Sequence, residues 1–133
     1  MTAFWPPDLT FTVNVPASLA TGDPESIIGR SRYTGVVTSV EYIPTGDVTG
    51  VSGDNRTLTV VNHGGSGSGT VEVATLPLTS GADLEDNVPR EITLATGVAR
   101  YVEVGDVLAW TSTHQSAGVA DPGGQVIVQM ALR

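Results

Sequence analysis

Thr34-Gly35-Val36-Val37-Thr38-Ser39-Val40-Glu41-Tyr42-Ile43 is the stretch that decides the fold. It is β-branched and aromatic along most of its length. Such side chains fit a pleated surface and lose χ1 freedom in a helix. The stretch therefore predicts one long strand. Downstream, Pro44 to Asn55 is rich in Gly, Pro and Asp and reads as a loop. Thr57-Leu58-Thr59-Val60-Val61 is the next strand. Asn62 to Gly69 is a Gly/Ser turn, after which Thr70 to Leu76 alternates apolar with polar residues and returns as a hairpin partner. Arg90 to Leu94 reads as a further short strand.

Upstream, Leu9, Phe11, Val13 and Val15 alternate strictly and predict a strand that Pro16 stops. Asp23-Pro24-Glu25 has the form of a helix start, with a capping Asp, Pro at the first position and acid in the first turn. Gly29 would end that helix after one or two turns. Towards the C-terminus, Tyr101 to Val104 leads through the turn pair Gly105-Asp106 into the strand Val107 to Ser112. Ser116 to Gly124 is a loop, and Gln125 to Met130 alternates as a final strand. The sum is an all-β domain of about eight short strands, a single β-sandwich or jelly-roll-like body with an extended N-terminal arm. Its zones are residues 1–16 (arm and first strand), 17–32 (loop with the short helix) and 33–133 (body), one domain overall.

Composition agrees. The 133 residues include 16 glycines and no cysteine, and the formal net charge is -8. A chain of this length buries roughly 68% of its unfolded surface, enough for a core without disulfides. Every basic residue is an arginine. An acidic chain is repelled by phosphate backbones and anionic bilayers, so neither nucleic acid nor membrane is an expected partner. No apolar run approaches the ~20 residues of a membrane span. Residues 1–7 lack a basic region followed by an apolar one, so they are not read as a signal peptide.

Candidate chemistry is sparse. There are two histidines, His63 and His114. Ser112, Ser116 and Asp121 lie near His114 in sequence, as a nucleophile-base-carboxylate set would require. No strand-to-helix nucleophile turn surrounds them, and Gly65-Ser66-Gly67-Ser68-Gly69 matches such a turn by letters only. Asp47, Asp54, Asp83, Asp86 and Asp121 lie in loops and have the chemistry of calcium ligands. They lack the spacing of a known calcium loop, and turn formation is the commoner use of loop Asp. Asn55-Arg56-Thr57 is a glycosylation acceptor only in a secreted chain. The expectation is a protein without catalytic residues, cofactor or metal. The most informative feature is Phe4-Trp5-Pro6-Pro7, followed by Leu9. Two large aromatics bury ~150–250 Å² each. At ~25 cal/mol/Å² the pair contributes roughly 8–12 kcal/mol before ordering costs. Phe4, Trp5, Pro6, Pro7 and Leu9 are therefore the expected partner-binding residues, against the alternative that they fold back and cap the body.

Tyr33 to Val40, Asn55 to Asn62, Gly67 to Thr70 with Val73-Ala74, Val104 to Leu108, Ser112-Thr113-His114 and Gly118 to Gly124 together resemble the capsid decoration proteins of tailed bacteriophages. The resemblance covers about residues 33–130. Phages of high-GC actinobacterial hosts carry similar chains, and arginine without lysine suits such a genome. The resemblance implies a virion structural protein: a knob on the outer capsid surface that binds the major capsid protein and stabilises the expanded shell. It also implies a homo-oligomer, with a trimer favoured over a dimer, assembled in the host cytoplasm. It supplies no catalytic motif. The competing expectation is a carbohydrate- or host-surface-binding sandwich of a fibre or adhesin, with Trp110 and Tyr101 as sugar platforms. A cupin-type enzyme is disfavoured because the sequence lacks a histidine cluster.

Overall fold

The long stretch forms β3 (Gly35–Pro44) in a computed structural model that describes residues 9–133. Before it come β1 (Thr10–Val15) and β2 (Glu25–Arg30). After it come β4 (Arg56–Asn62), β5 (Val71–Pro77), β6 (Arg90–Glu91), β7 (Thr93–Leu94), β8 (Tyr101–Val102), β9 (Val107–His114) and β10 (Gly124–Leu132). One antiparallel sheet runs β1-β10-β3-β6, with β8 also on β3; the other runs β2-β9-β4-β5-β7. The all-β sandwich expected from the sequence is what forms. The described residues form ten strands rather than about eight, because β2 replaces the expected short helix and the strand expected at Arg90 to Leu94 is divided into β6 and β7.

The core lies between the sheets. Val37, Val40 and Tyr42 of β3 and Val126 and Val128 of β10 face Leu58 and Val60 of β4, Val73 and Leu76 of β5, and Leu108 and Trp110 of β9. Val37 and Val40 are three apart, yet both are fully buried. A period of two forbids that in a regular strand. The pairing of β3 with β10 shifts register at Gln129/Met130, and this bulge turns both valines inward. The same device operates between β4 and β5 at Val60/Val61. Tyr42 and Trp110 meet across the two sheets with ring centroids 5.1 Å apart, a favourable tilted contact at the centre of the sandwich.

Two local readings are corrected. The segment Glu25–Arg30 is a strand and not a short helix. Glu25, Ser26, Ile27, Gly29 and Arg30 pair with β9, where the backbone finds partners that one helical turn would leave to solvent. Asp23 accepts hydrogen bonds from β9 instead of capping a helix: His114 donates from its backbone N at 2.8 Å. Arg90 to Leu94 is two short strands. Arg90 and Glu91 pair with β3, Thr93 and Leu94 pair with β5, and the fully buried Ile92 passes between the sheets. Among the described residues, the β4–β5 hairpin is the sole connection that stays within one sheet. Side by side, β1 and β2 close one flank, where the Phe11 ring lies on Gly29. A Cβ there would come within 2.7 Å of the ring.

Strand directions give the sandwich two ends. One end carries the loops 16–24, 45–55, 78–89 and 115–123. The other carries the loops 31–34, 63–70 and 95–106 and the end of β10.

Candidate partner interface

At the first end the polar residues flagged in the sequence hold loops in place. Ser112 and Asp121 do meet: the Ser112 hydroxyl donates to the Asp121 carboxylate at 2.6 Å, and both residues are buried. The Tyr42 hydroxyl donates to the other carboxylate oxygen at 2.6 Å, and the Gly123 N–H donates to that same oxygen at 3.0 Å. His114 is not part of this set. Its Nδ1 lies 2.7 Å from Asp23, at the surface. The serine's polar neighbours are thus a carboxylate and an arginine, and neither is an imidazole base. Ser116 is exposed in the following loop with φ 54.

Arg56 was not flagged by sequence reasoning and organises this end. It is 1% exposed. Its Nε donates to Val119 O at 2.9 Å; its Nη1 donates to Gly22 O, Ser112 O and the Ser112 hydroxyl; its Nη2 donates to Leu19 O and Ala20 O. A planar guanidinium suits such a fan of carbonyls because its donors are held rigidly. The result is a clamp that ties the loops 16–24 and 115–123 to β4 and β9. Asn55, the residue of the glycosylation triplet, is buried and donates to Val51 O.

The loop aspartates cap backbone groups. Asp47 accepts from Asp86 N, Asp83 from Gly50 N, and Asp54 from Ala117 N. Among the described residues no cluster of three or more His, Cys, Asp or Glu has metal-binding geometry. Asp23 is held below the usual carboxylate range, chiefly by the hydrogen bond from the His114 side chain and then by that from its backbone. Burial, followed by the adjacent Asp121 charge, pushes the Tyr42 phenol far above its usual value. At this end Asp23, Asp47, Asp54, Asp83, Glu85 and Asp86 are exposed.

The other end has the opposite character. Arg30 and Arg32 close the β2–β3 corner, Arg100 ends the 3-10 turn Gly97–Arg100, and Arg133 follows β10. These are four of the chain's six arginines, since Lys+Arg is 6 and there is no lysine. Exposed apolar side chains lie among them: Val98 (76%), Val104 (64%), Leu132 (50%) and Tyr101 (38%). An open groove of about 600 Å³ is lined by Arg30, Ser31, Arg32, Val104 and Gly105. The two acids of these loops are engaged within the chain. Asp106 accepts from Asn62 and from Glu103 N, while Glu103 pairs with Arg133 and Thr34. Arg133 also lies 4.2 Å over the Tyr101 ring. Glu72, on β5 nearby, is exposed.

Of the expected partner-binding residues, Phe4, Trp5, Pro6 and Pro7 lie outside the described residues. Leu9 is half-buried against the core. The sugar-platform candidates separate, because Trp110 is core at 1% exposure whereas Tyr101 is at the surface under Arg133. No protein-family model, no curated protein and no solved structure matches this chain.

Proposed function

We propose that this chain is a virion structural protein, a decoration protein that binds the outer face of a tailed-phage capsid shell and stabilises it. The observation that carries the reading is the unlikeness of the two ends. One end is braced internally by Arg56, Asp121 and the loop aspartates. The other gathers arginine and exposed apolar side chains, the mixture that interfaces favour. A small rigid sandwich with one such end suits a knob clipped onto a larger assembly. The resemblance of the strand segments and the Gly118 to Gly124 loop to decoration proteins supports the same role. Binding by many copies stabilises a shell by mass action, because each copy binds the assembled state alone. The proposed partner is the major capsid protein, the proposed state a homotrimer, and Phe4, Trp5, Pro6, Pro7 and Leu9 the proposed anchor.

The test is co-sedimentation of purified protein with shells prepared without it. The full chain pellets with the shells and raises the temperature at which they open. A chain lacking Met1 to Pro7 stays folded by circular dichroism but stays in the supernatant. A full chain that never pellets refutes the reading. A glycan array addresses the fibre or adhesin alternative, which has less support now that Trp110 is buried.

A further inference from the structure

We infer that the arginine end of the sandwich is the face that docks, and that its partner is a protein surface carrying carboxylates beside apolar side chains. This rests on the decoration reading above and adds an orientation to it, with the carboxylate end pointing away into solvent.

Two observations converge. The first is charge. In a chain of net charge -8, Arg30, Arg32, Arg100 and Arg133 are brought to one end from distant parts of the sequence. The acids among them, Glu103 and Asp106, are bonded within the chain. With Glu72 beside them, three acids stand against the four arginines, and Arg133 is paired with Glu103, so a partner carboxylate meets a nearly neutral, slightly positive face on an otherwise repelling protein. Such complementarity fixes orientation and speeds encounter more than it adds raw affinity.

The second is exposed apolar area. Val98, Val104, Tyr101 and Leu132 belong to this end. Arginine and aromatic side chains are enriched at interfaces, whereas Asp and Glu are depleted. The other end exposes apolar side chains too, Leu19 (82%) and Val88 (47%), but it sets them among six exposed carboxylates and is by that measure the poorer candidate. The groove between Arg30, Arg32 and Val104 offers apolar contact and charge in one place.

The experiment uses the full chain with shells that lack it, over a series of salt concentrations. The variants are Arg30→Glu with Arg133→Glu, Val104→Asp with Leu132→Asp, and a control Asp83→Asn with Asp86→Asn at the other end. Melting curves establish that each is folded. The expected result is a loss of about 10-fold or more in shell affinity for both arginine-end pairs, with a weaker salt dependence for the charge-reversed pair. The control binds as the wild type does. If wild type binds and the arginine-end variants bind equally well, the docking face is wrong while the decoration role stands. If wild type does not bind, the decoration role fails and the orientation falls with it. Sedimentation of the free proteins closes the remaining alternative. If the arginine-end variants change the oligomeric state and not shell binding, this face joins copies of the chain to one another, and the inference is overturned.

Discussion

Replacing Arg56 by methionine removes the clamp while keeping much of the side-chain volume. Six hydrogen bonds are lost, five of them to main-chain carbonyls and one to the Ser112 hydroxyl. The carbonyls of Leu19, Ala20, Gly22 and Val119 are partly buried and regain water once the loops part. The bonds to Ser112 are fully buried, and so is the linked Asp121 carboxylate. Leaving a buried acceptor without its donor costs about 1–3 kcal/mol, so the two buried bonds to Ser112 together with the partly buried ones put about 3–5 kcal/mol at stake. Methionine recovers some apolar burial, and the desolvation cost of the guanidinium disappears, so the lower half of that range is expected. For a domain of this size, about 3–4 kcal/mol corresponds to a fall in Tm of roughly 10–15 °C. The assay is urea unfolding followed by far-UV circular dichroism, with a lower midpoint at unchanged slope. Limited proteolysis then cuts within 16–24 and 115–123 before the sheets open. Arg56→Lys recovers little of the loss, since an ammonium presents a compact charge and not a fork. A loss under about 1 kcal/mol with unchanged loop protection would refute the clamp, since even one orphaned buried partner costs about that much.

Two other predictions concern the same end. The Asp23 carboxyl titrates below the usual carboxylate range because His114 bonds its charged form. Its contribution to stability is therefore present above the unfolded carboxylate pKa and is lost as pH falls through the depressed folded value. In His114→Ala, NMR titration should show Asp23 moving back up towards the ordinary range, and an unmoved midpoint would assign the shift to another cause. Gly118 has φ +68, and a Cβ there would lie 2.1 Å from Ala20 O, a clamp acceptor. Gly118→Ala should destabilise by about 1–3 kcal/mol through strain and overpacking, and a melting curve like that of wild type would contradict the packing of these two loops.

Much of the fold was legible because strand composition, turn residues and periodicity are local signals. The alternation in Gln125 to Met130 buries one face, and a period of two records that directly, whereas Thr34 to Ile43 and the hairpin around the Gly/Ser turn were legible from β-branched content and turn residues, since each carries a bulge that breaks the period. Their observed counterparts are β10, β3 and the β4–β5 pair. The segment at Asp23-Pro24-Glu25 was misread because its helix-start signal is local. The competing strand draws its hydrogen bonds from β9, more than 80 positions away at His114 and Thr111. Arg90 to Leu94 looked continuous because nothing in five residues says that the chain changes sheets at Ile92.

The candidate site was less legible. An arginine in a β-rich segment reads as a solvated charge, and the one signal in its favour, its place at the start of a strand, is weak. What makes Arg56 structural is a set of carbonyls brought from 34 to 63 positions away. The same holds for the arginine end. The four arginines are scattered along the chain and form no motif, and they gather only because β2, β8 and β10 end or begin at one end of the sandwich. By itself the sequence determined the class of the fold, most of the long strands and the negative charge, all of which follow from local pattern and composition. The tertiary structure decided which polar residues are clamps and which charges share a face, because those depend on how eight cross-sheet connections return distant segments to the same end.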